Sequence, residues 1–411
     1  MKERIIFHID VNNAFLSWTA TLLLKQGYKQ DIRKIPAIIA GDEKQRRGIV
    51  LAKSPIAKKF GIVTAETIYQ AKKKCPSLQI FPPDYNWYYQ QSQELFKYLS
   101  QYSPLLEKYS VDECFLEMTG TKYLYKDYKV LAYKIKEEVK EKFGFTVNIG
   151  IGNNKLCAKM ASDFEKPDKV HTLLKDEIPN KLWPLDVGQL FMVGKSSKET
   201  LNKLNIHTIK DLAEADDKVL EYHFKNQAKH LKESALGIDN SKVEPRSNKR
   251  DSISISETLP YDYTDEEKLK EIIFRQVEEV TRQLRQQKQY AKTVAIIYKN
   301  NKFCNYSAQA KLPSPSNNTK DIYKLAIEIF EKSYKKDPIR LIGVRLTDFS
   351  DKKEKQLSLF DEEEQSEESE SDNIQKTIDI INEKFGKSIV GPASLKLMSK
   401  TSSNKNKLKK I

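Results

Sequence analysis

The chain has 411 residues, 39% of them hydrophobic, enough for several domains with their own cores, which excludes a fibrous or wholly disordered protein. Lysine and arginine total 71 against 57 aspartates and glutamates, and the resulting net charge of +14 points to a polyanionic partner. Cys75, Cys114, Cys157 and Cys304 form no CxxC or Cys/His cluster, which argues against a zinc site or disulfide framework. No apolar run is long enough for a signal peptide or membrane span, so a cytoplasmic setting with no membrane partner is expected.

The first element expected is a buried strand over residues 4–11, RIIFHIDV, closed by a turn from Asn12 to Ala14, which leaves Asp10 at a strand end. To about Ser77 short elements alternate: a helix around Phe15 to Leu24, strands Ala37 to Ala40 and Gly48 to Ala52, and a helix from Pro55 to Phe60. They read as a small insertion in a larger sheet. A helix over 86–101 follows, then a strand pair from Leu106 to Thr119 bent near Asp112 and Glu113, a Lys/Glu-rich amphipathic helix Tyr128 to Phe143, and a strand Thr146 to Ile151.

This alternation predicts a mixed sheet. Beyond Lys166 and Pro167 the pattern is helical to about Gly237, and Lys242 to Asp251 reads as a linker. Residues 252–349 form a second α/β unit: helix Asp265 to Lys288, hairpin Thr293 to Lys311 through Asn300 and Asn301, helix Thr319 to Tyr334, strand Ile339 to Leu346. Asp361 to Asp372 has eight acidic residues in twelve, and six lysines without an acid follow from Lys396, so this tail is expected to be largely flexible.

The chemistry concentrates in Asp10 and the adjacent pair Asp112 and Glu113, each at the end of an apolar strand-like run. Two divalent ions about 4 Å apart, held by converging carboxylates, activate a hydroxyl and neutralise a triphosphate. Taken singly, an aspartate after a strand serves more often as a turn residue or helix cap. Neighbours in a regular strand point to opposite faces, so Asp112 and Glu113 can share a metal only if the backbone bends there.

HIDVNNAFLSW, PAIIAGDEKQRRGIVLAKSPIAKKFGI, YSVDECFLEMTG and NIGIGNNKLCAKMASDFEKPD, in this order, resemble the Y-family translesion DNA polymerases over residues 4 to about 350. The DVN run and the AxSPxAK variant look closer to the UmuC-like branch than to the DinB-like one. The resemblance implies an α/β multidomain right-hand polymerase: a mixed-sheet palm (1–15 and 80–173), small fingers (16–79), a helical thumb with a helix-hairpin-helix (174–240), a linker (241–251), an α/β little finger (252–349) and a tail (350–411). It implies low-fidelity, template-directed synthesis in damage tolerance, on primer-template DNA and an incoming deoxynucleoside triphosphate.

In that reading Asp10, Asp112 and Glu113 are catalytic and hold two Mg2+ ions with the Val11 carbonyl, and Phe15 is the steric gate against a ribose 2′-hydroxyl. Val11, Asn12, Asn13, Ala14, Phe15, Ser54, Lys58 and Lys166 line the nucleotide. Pro55 stands where many relatives carry a triphosphate-binding tyrosine and Lys58 where they carry arginine; Lys58 supplies charge without bidentate geometry, and Ser54 is expected to donate a hydrogen bond instead. Residues 187–213 resemble a helix-hairpin-helix, with Val193, Gly194 and Lys195 at a DNA phosphate; an ordinary helical pair is the alternative.

A free, lysine-bearing face of the second unit's sheet suits a DNA backbone. QLSLF, through Gln356, Leu357, Leu359 and Phe360, resembles the bacterial sliding-clamp pentapeptide, and UmuC-like relatives often need an accessory protein. A catalytically weak DNA- or clamp-binding scaffold is the rival reading.

Overall fold

The computed structural model describes residues 4–43, 46, 48–121, 123–245, 251–351, 377, 380, 381 and 384. They divide near residue 246 into two compact units. The pentapeptide, the acidic run and the lysine-rich end lie outside the described residues.

In the first unit, β1 (Ile6–Val11) is buried along its whole length, His8 and Asp10 included, as a strand covered on both faces is. The chain then turns through Asn13, at φ 50°, into α1 (Ala14–Lys25). Strands β2 (Ala37–Ala40), β3 (Val50–Lys53) and β4 (Gln79–Phe81) make a separate sheet of three, in the order β3-β2-β4, joined by α2 (Pro55–Lys59) and α3 (Ile68–Lys74). So the expected insertion has a sheet and a core of its own, built on Ile38, Val50, Ala57, Ile68 and Leu78. After α4 (Tyr85–Leu99) come β5 (Leu106–Lys108), β6 (Glu113–Glu117), α5 (Tyr128–Phe143), β7 (Val147–Gly152), α6 (Lys155–Asp163) and β8 (Val170–Leu173).

These strands form one sheet in the order β5-β6-β1-β7-β8, with β1 antiparallel to both neighbours and β8 parallel to β7. The sheet is mixed, as predicted. Strand β8 corrects the expectation of helix beyond Pro167: VHTL is only four residues long and too short to show a period. Helical structure then holds, through α7 (Ile178–Lys181), α8 (Lys195–Lys203), α9 (Ile209–Glu214), α10 (Asp217–Phe224) and α11 (Ala228–Ala235).

The second unit runs β9 (Ser252–Tyr263), α12 (Glu266–Gln286), β10 (Tyr290–Asn300), β11 (Asn305–Ser316), α13 (Thr319–Ser333), β12 (Ile339–Ser350). Its antiparallel sheet has the order β11-β10-β12-β9, a split βαβ arrangement. Strand β9 is absent from the expectation although Ile253, Ile255, Leu259, Tyr261 and Tyr263 alternate along it; Glu257 at an apolar position and Pro260 are what interrupt the strand signal. Val294, Ile296, Tyr298, Ile342, Val344 and Leu346 pack with both helices in one core. Cross-strand register puts Ser252, Thr347, Thr293 and Lys311 in one rung, and Ser254, Arg345, Ala295 and Gln309 in the next; these alternate with the core positions and belong to the opposite face.

Two glycines let α6 lie against β7. A Cβ at Gly150 would stand 1.9 Å from the Ala158 carbonyl oxygen, and one at Gly152 would stand 2.4 Å from the Ala158 nitrogen. Gly150→Ala is therefore expected to cost about 3 kcal/mol or more of stability in denaturant unfolding, against about 0.5 kcal/mol or less for Gly194→Ala, where a Cβ would meet nothing within 4 Å.

Candidate active site

Main-chain pairing brings the two acidic islands together. Asp10 faces Glu113 in the β1–β6 register, and the Val11 N–H donates to the Asp112 carbonyl at 3.1 Å. The bend that the sequence required is present. Glu113 opens β6, while Asp112 belongs to the turn of the β5–β6 hairpin, where Tyr109 and Ser110 N–H both donate to the Glu113 carbonyl, at 2.9 and 3.1 Å. Ser110 Oγ donates to Asp112 Oδ1 at 2.5 Å, fixing that carboxylate outside the strand's alternation.

Asp10 is only 7% exposed. Burial pushes its carboxyl from 3.8 up to about 6, against the pull of Lys166 and with Glu113 and Asp112 adding to the rise. Lys166 is ion-paired to Asp10 and, at 2.7 Å, to Asp163. Burial pulls the Lys166 ammonium down, but its two carboxylate partners outweigh this and raise it. Lys159, on α6, puts its ammonium 2.9 Å from Glu113 Oε1. Among the described residues no group of three or more His, Cys, Asp or Glu is gathered to hold a metal ion; here the two ammonium groups answer the carboxylate charge.

His8, two residues before Asp10 on β1, has its Nε2 3.9 Å from Glu113 Oε2 and its Nδ1 2.8 Å from Ser162 Oγ. Burial, then Lys159 and Lys166, drives its pKa well below the usual value, so it is neutral. Ser162 Oγ donates to the Lys159 carbonyl, which makes Nδ1 the protonated nitrogen.

Phe15 stands in the first turn of α1, stacked on Tyr88 of α4 with ring centroids 4.7 Å apart and 13° between planes. The Tyr88 hydroxyl lies 2.6 Å from Thr19 Oγ1, which also donates to the Phe15 carbonyl. The ring is thus braced from behind. Val11, Asn12 and Ala14 are buried, and the Asn13 amide donates to the Lys53 carbonyl at 2.8 Å, so these side chains serve the fold. Any nucleotide contact along 11–14 falls to the main chain.

Ser54 corrects an expectation. It is fully buried, donates to the Ile35 carbonyl at 2.6 Å and accepts from Ala57 N–H at 3.0 Å as the cap of α2, so its hydroxyl is not free for a nucleotide. Pro55 and Lys58 are exposed on α2.

In the region read as a helix-hairpin-helix, α8 and α9 are joined through Asn205, left-handed at φ 61°, but a single 3-10 turn, Val187–Gln189, stands ahead of α8. Gly194 caps α8 with no side chain over its first turn, and Lys195 is almost wholly exposed. Val193 is buried, so its side chain packs in the core.

Lys159, His8 and Tyr88 were not singled out from the sequence. Lys159 was marked only as a lysine inside the apolar LCAKMAS stretch, since its partner Glu113 is remote in sequence. Tyr88, one aromatic among several in α4, had none.

The impB/mucB/samB family model matches residues 9–163, and that family's C-terminal domain model matches 250–359. The DNA polymerase IV of Clostridium acetobutylicum is 44% identical over 94% of this chain and 97% of its own length. The DNA polymerase IV 1 of Bacillus subtilis is 34% identical over 95% and 92%. The chain belongs to the impB/mucB/samB family, the Y-family DNA polymerases. The solved structure of a Y-family DNA polymerase chimera built from Dbh and Dpo4 superposes with a TM-score of 0.72, covering 84% of this chain and 98% of the chimera at 24% identity, so the fold is that of a Y-family polymerase. The leaning towards the UmuC-like branch is overturned: these relatives are polymerases IV, the DinB branch.

Burial of the ionised Asp10 costs stability, with a definite pH sign. A carboxyl raised in the folded state destabilises above its folded pKa of about 6, and this cost vanishes below the unfolded value. In metal-free protein, Asp10→Asn is expected to gain on the order of 2 kcal/mol at pH 7.5, a gain that shrinks towards pH 4. Thermal unfolding in chelator across that range checks it.

Proposed function

We propose that this protein is a DNA-directed DNA polymerase for low-fidelity translesion synthesis, acting on a primer-template and deoxynucleoside triphosphates in DNA damage tolerance. The observation that carries the reading is the pairing of Asp10 with Glu113 and of Val11 with Asp112, which brings the two acidic islands together at the end of one buried strand. The whole-length likeness to polymerases IV supports the same reading.

Asp10, Asp112, Glu113 and the Val11 carbonyl are an all-oxygen donor set, which suits Mg2+. Y-family polymerases work with divalent metals, and the raised pKa of Asp10 marks a negative charge that a cation would relieve. Two Mg2+ ions held there would activate the primer 3′-hydroxyl and neutralise the triphosphate. The chain's own residues do the rest. Lys166 is placed to exchange its carboxylate partners for triphosphate oxygens, and Lys58 adds charge from the exposed side of α2. Phe15, stiffened by Tyr88, sets a wall under the sugar.

Residues 1–15 and 80–173 serve as palm, 16–79 as fingers, 174–240 as thumb and 252–349 as little finger. Gly194 and Lys195 offer a phosphate contact at the start of α8, and Lys311 and Arg345 do so on the face of the second sheet opposite its helices. The clamp reading of Gln356, Leu357, Leu359 and Phe360 rests on sequence, as do the accessory protein and a place on the bacterial chromosome.

The decisive variant is Asp112→Ala with Glu113→Ala. It is expected to lose at least about a thousandfold in primer extension while binding primer-template as the wild type does; equal extension would remove the assigned site. Phe15→Ala is expected to admit ribonucleotides, measured as the ratio of kcat/KM for dCTP and CTP, with discrimination falling about a hundredfold or more. An unchanged ratio would take Phe15 out of the gate.

A further inference from the structure

Asn148 occupies the position on β7 directly across from Asp10 and is wholly buried. A central strand favours β-branched and apolar residues, and an amide there is tolerated only if its polar atoms are all met. They are, and all within reach of one segment. Its Nδ2 donates to the carbonyls of Ser162, at 3.0 Å, and Glu165, at 2.7 Å. Its Oδ1 accepts from the N–H of Lys169 at 3.2 Å and from Asn12 Nδ2 at 3.2 Å. The Asn12 amide continues the link, its Oδ1 accepting from the N–H of Asp168 at 3.3 Å.

The direction of the Asn148 amide follows from its partners. A flipped amide would set its oxygen against two carbonyls and its NH2 against an N–H. The two asparagines therefore grip residues 162 and 165 on one side of Lys166 and 168 and 169 on the other, and the side chain between them reaches back to Asp10. Asp168, at φ 62°, is also ion-paired to Lys136 at 2.8 Å and Lys140 at 3.0 Å, which ties the far end of the segment to α5.

We propose that Asn148, relayed by Asn12, is a positioning residue that holds the main chain around Lys166 so that its ammonium meets the incoming triphosphate. This rests on the triphosphate role of Lys166. Asn148 makes no substrate contact itself; it removes the freedom of the segment that carries the cation, and a displacement on the order of 1 Å at such a group is enough to cost a large factor in kcat/KM, here through weaker capture of the triphosphate. The amide is suited to this because it donates twice and accepts twice from one rigid strand position, whereas a serine there donates once.

The test is single-nucleotide insertion by full-length wild type, Asn148→Ser, Lys166→Ala and the double variant, with dNTP KM, kcat and primer-template Kd measured separately. Asn148→Ser is expected to raise dNTP KM about tenfold with kcat and DNA Kd within about twofold of wild type, and to add nothing to KM in the Lys166→Ala background. An unchanged KM in Asn148→Ser, or a full additional loss in the double variant, overturns the proposal while Lys166 keeps its role. An unchanged KM in Lys166→Ala removes that role and this proposal with it. If Asn148→Ser does not fold, Asn12→Ser, which spares the Asn148 bonds to Ser162, Glu165 and Lys169, goes through the same cycle with the same expected and overturning results.

Discussion

The site depends on one short stretch of main-chain pairing. β1 is the middle strand of its sheet, hydrogen-bonded on both sides, and its last residues are met by the turn of the β5–β6 hairpin rather than by continuing strand. Because Glu113 is in register with Asp10 while Asp112 is still in the turn, adjacent residues escape the alternation that would otherwise send them to opposite faces. A one-residue slip of β6 would exchange the two and bury the wrong carboxylate. The two ladders flanking β1 make that slip expensive.

What the pairing gathers is electrostatically unfavourable on its own. Asp10 lies in a buried setting with two further carboxylates nearby, and the fold answers with Lys166 and Lys159. Each ammonium sits on a carboxylate of the acidic cluster, Lys166 on Asp10 and Lys159 on Glu113, so the charge is balanced within the fold. Neutral His8, buried beneath Glu113, adds no charge. The cost of assembling like charges is thus spread over the supporting shell: the glycines that let α6 approach β7, and the asparagines that anchor the segment bearing Lys166.

Much of this was legible in the chain. Apolar runs beside acids located β1 and β6, with the acid near the end of β1 and at the start of β6, and helical periodicity placed α5 and α13 to within a residue or so. Strands β8 and β9 escaped, the first because four residues carry no period and the second because Glu257 and Pro260 break an otherwise alternating edge strand. Ser54 was misread because a hydroxyl facing a nucleotide and one capping a helix look alike in sequence; only its burial separates them. Asn148 and Lys159 had their partners set by tertiary packing, which no local pattern reports. The branch was misjudged because the variant residues around Ser54 and Pro55 weigh little against likeness along the whole chain.

The central claim is that Asp10, Asp112 and Glu113 act together on divalent ions while Lys159 and Lys166 give way. Anomalous diffraction from crystals of the protein with primer-template, a non-hydrolysable deoxynucleotide and Mn2+ tests this directly. The account predicts manganese peaks ligated by all three carboxylates, with the Lys166 ammonium moved from Asp10 onto the triphosphate. Manganese bound elsewhere, with Lys166 still paired to Asp10 beside a bound nucleotide, would contradict it.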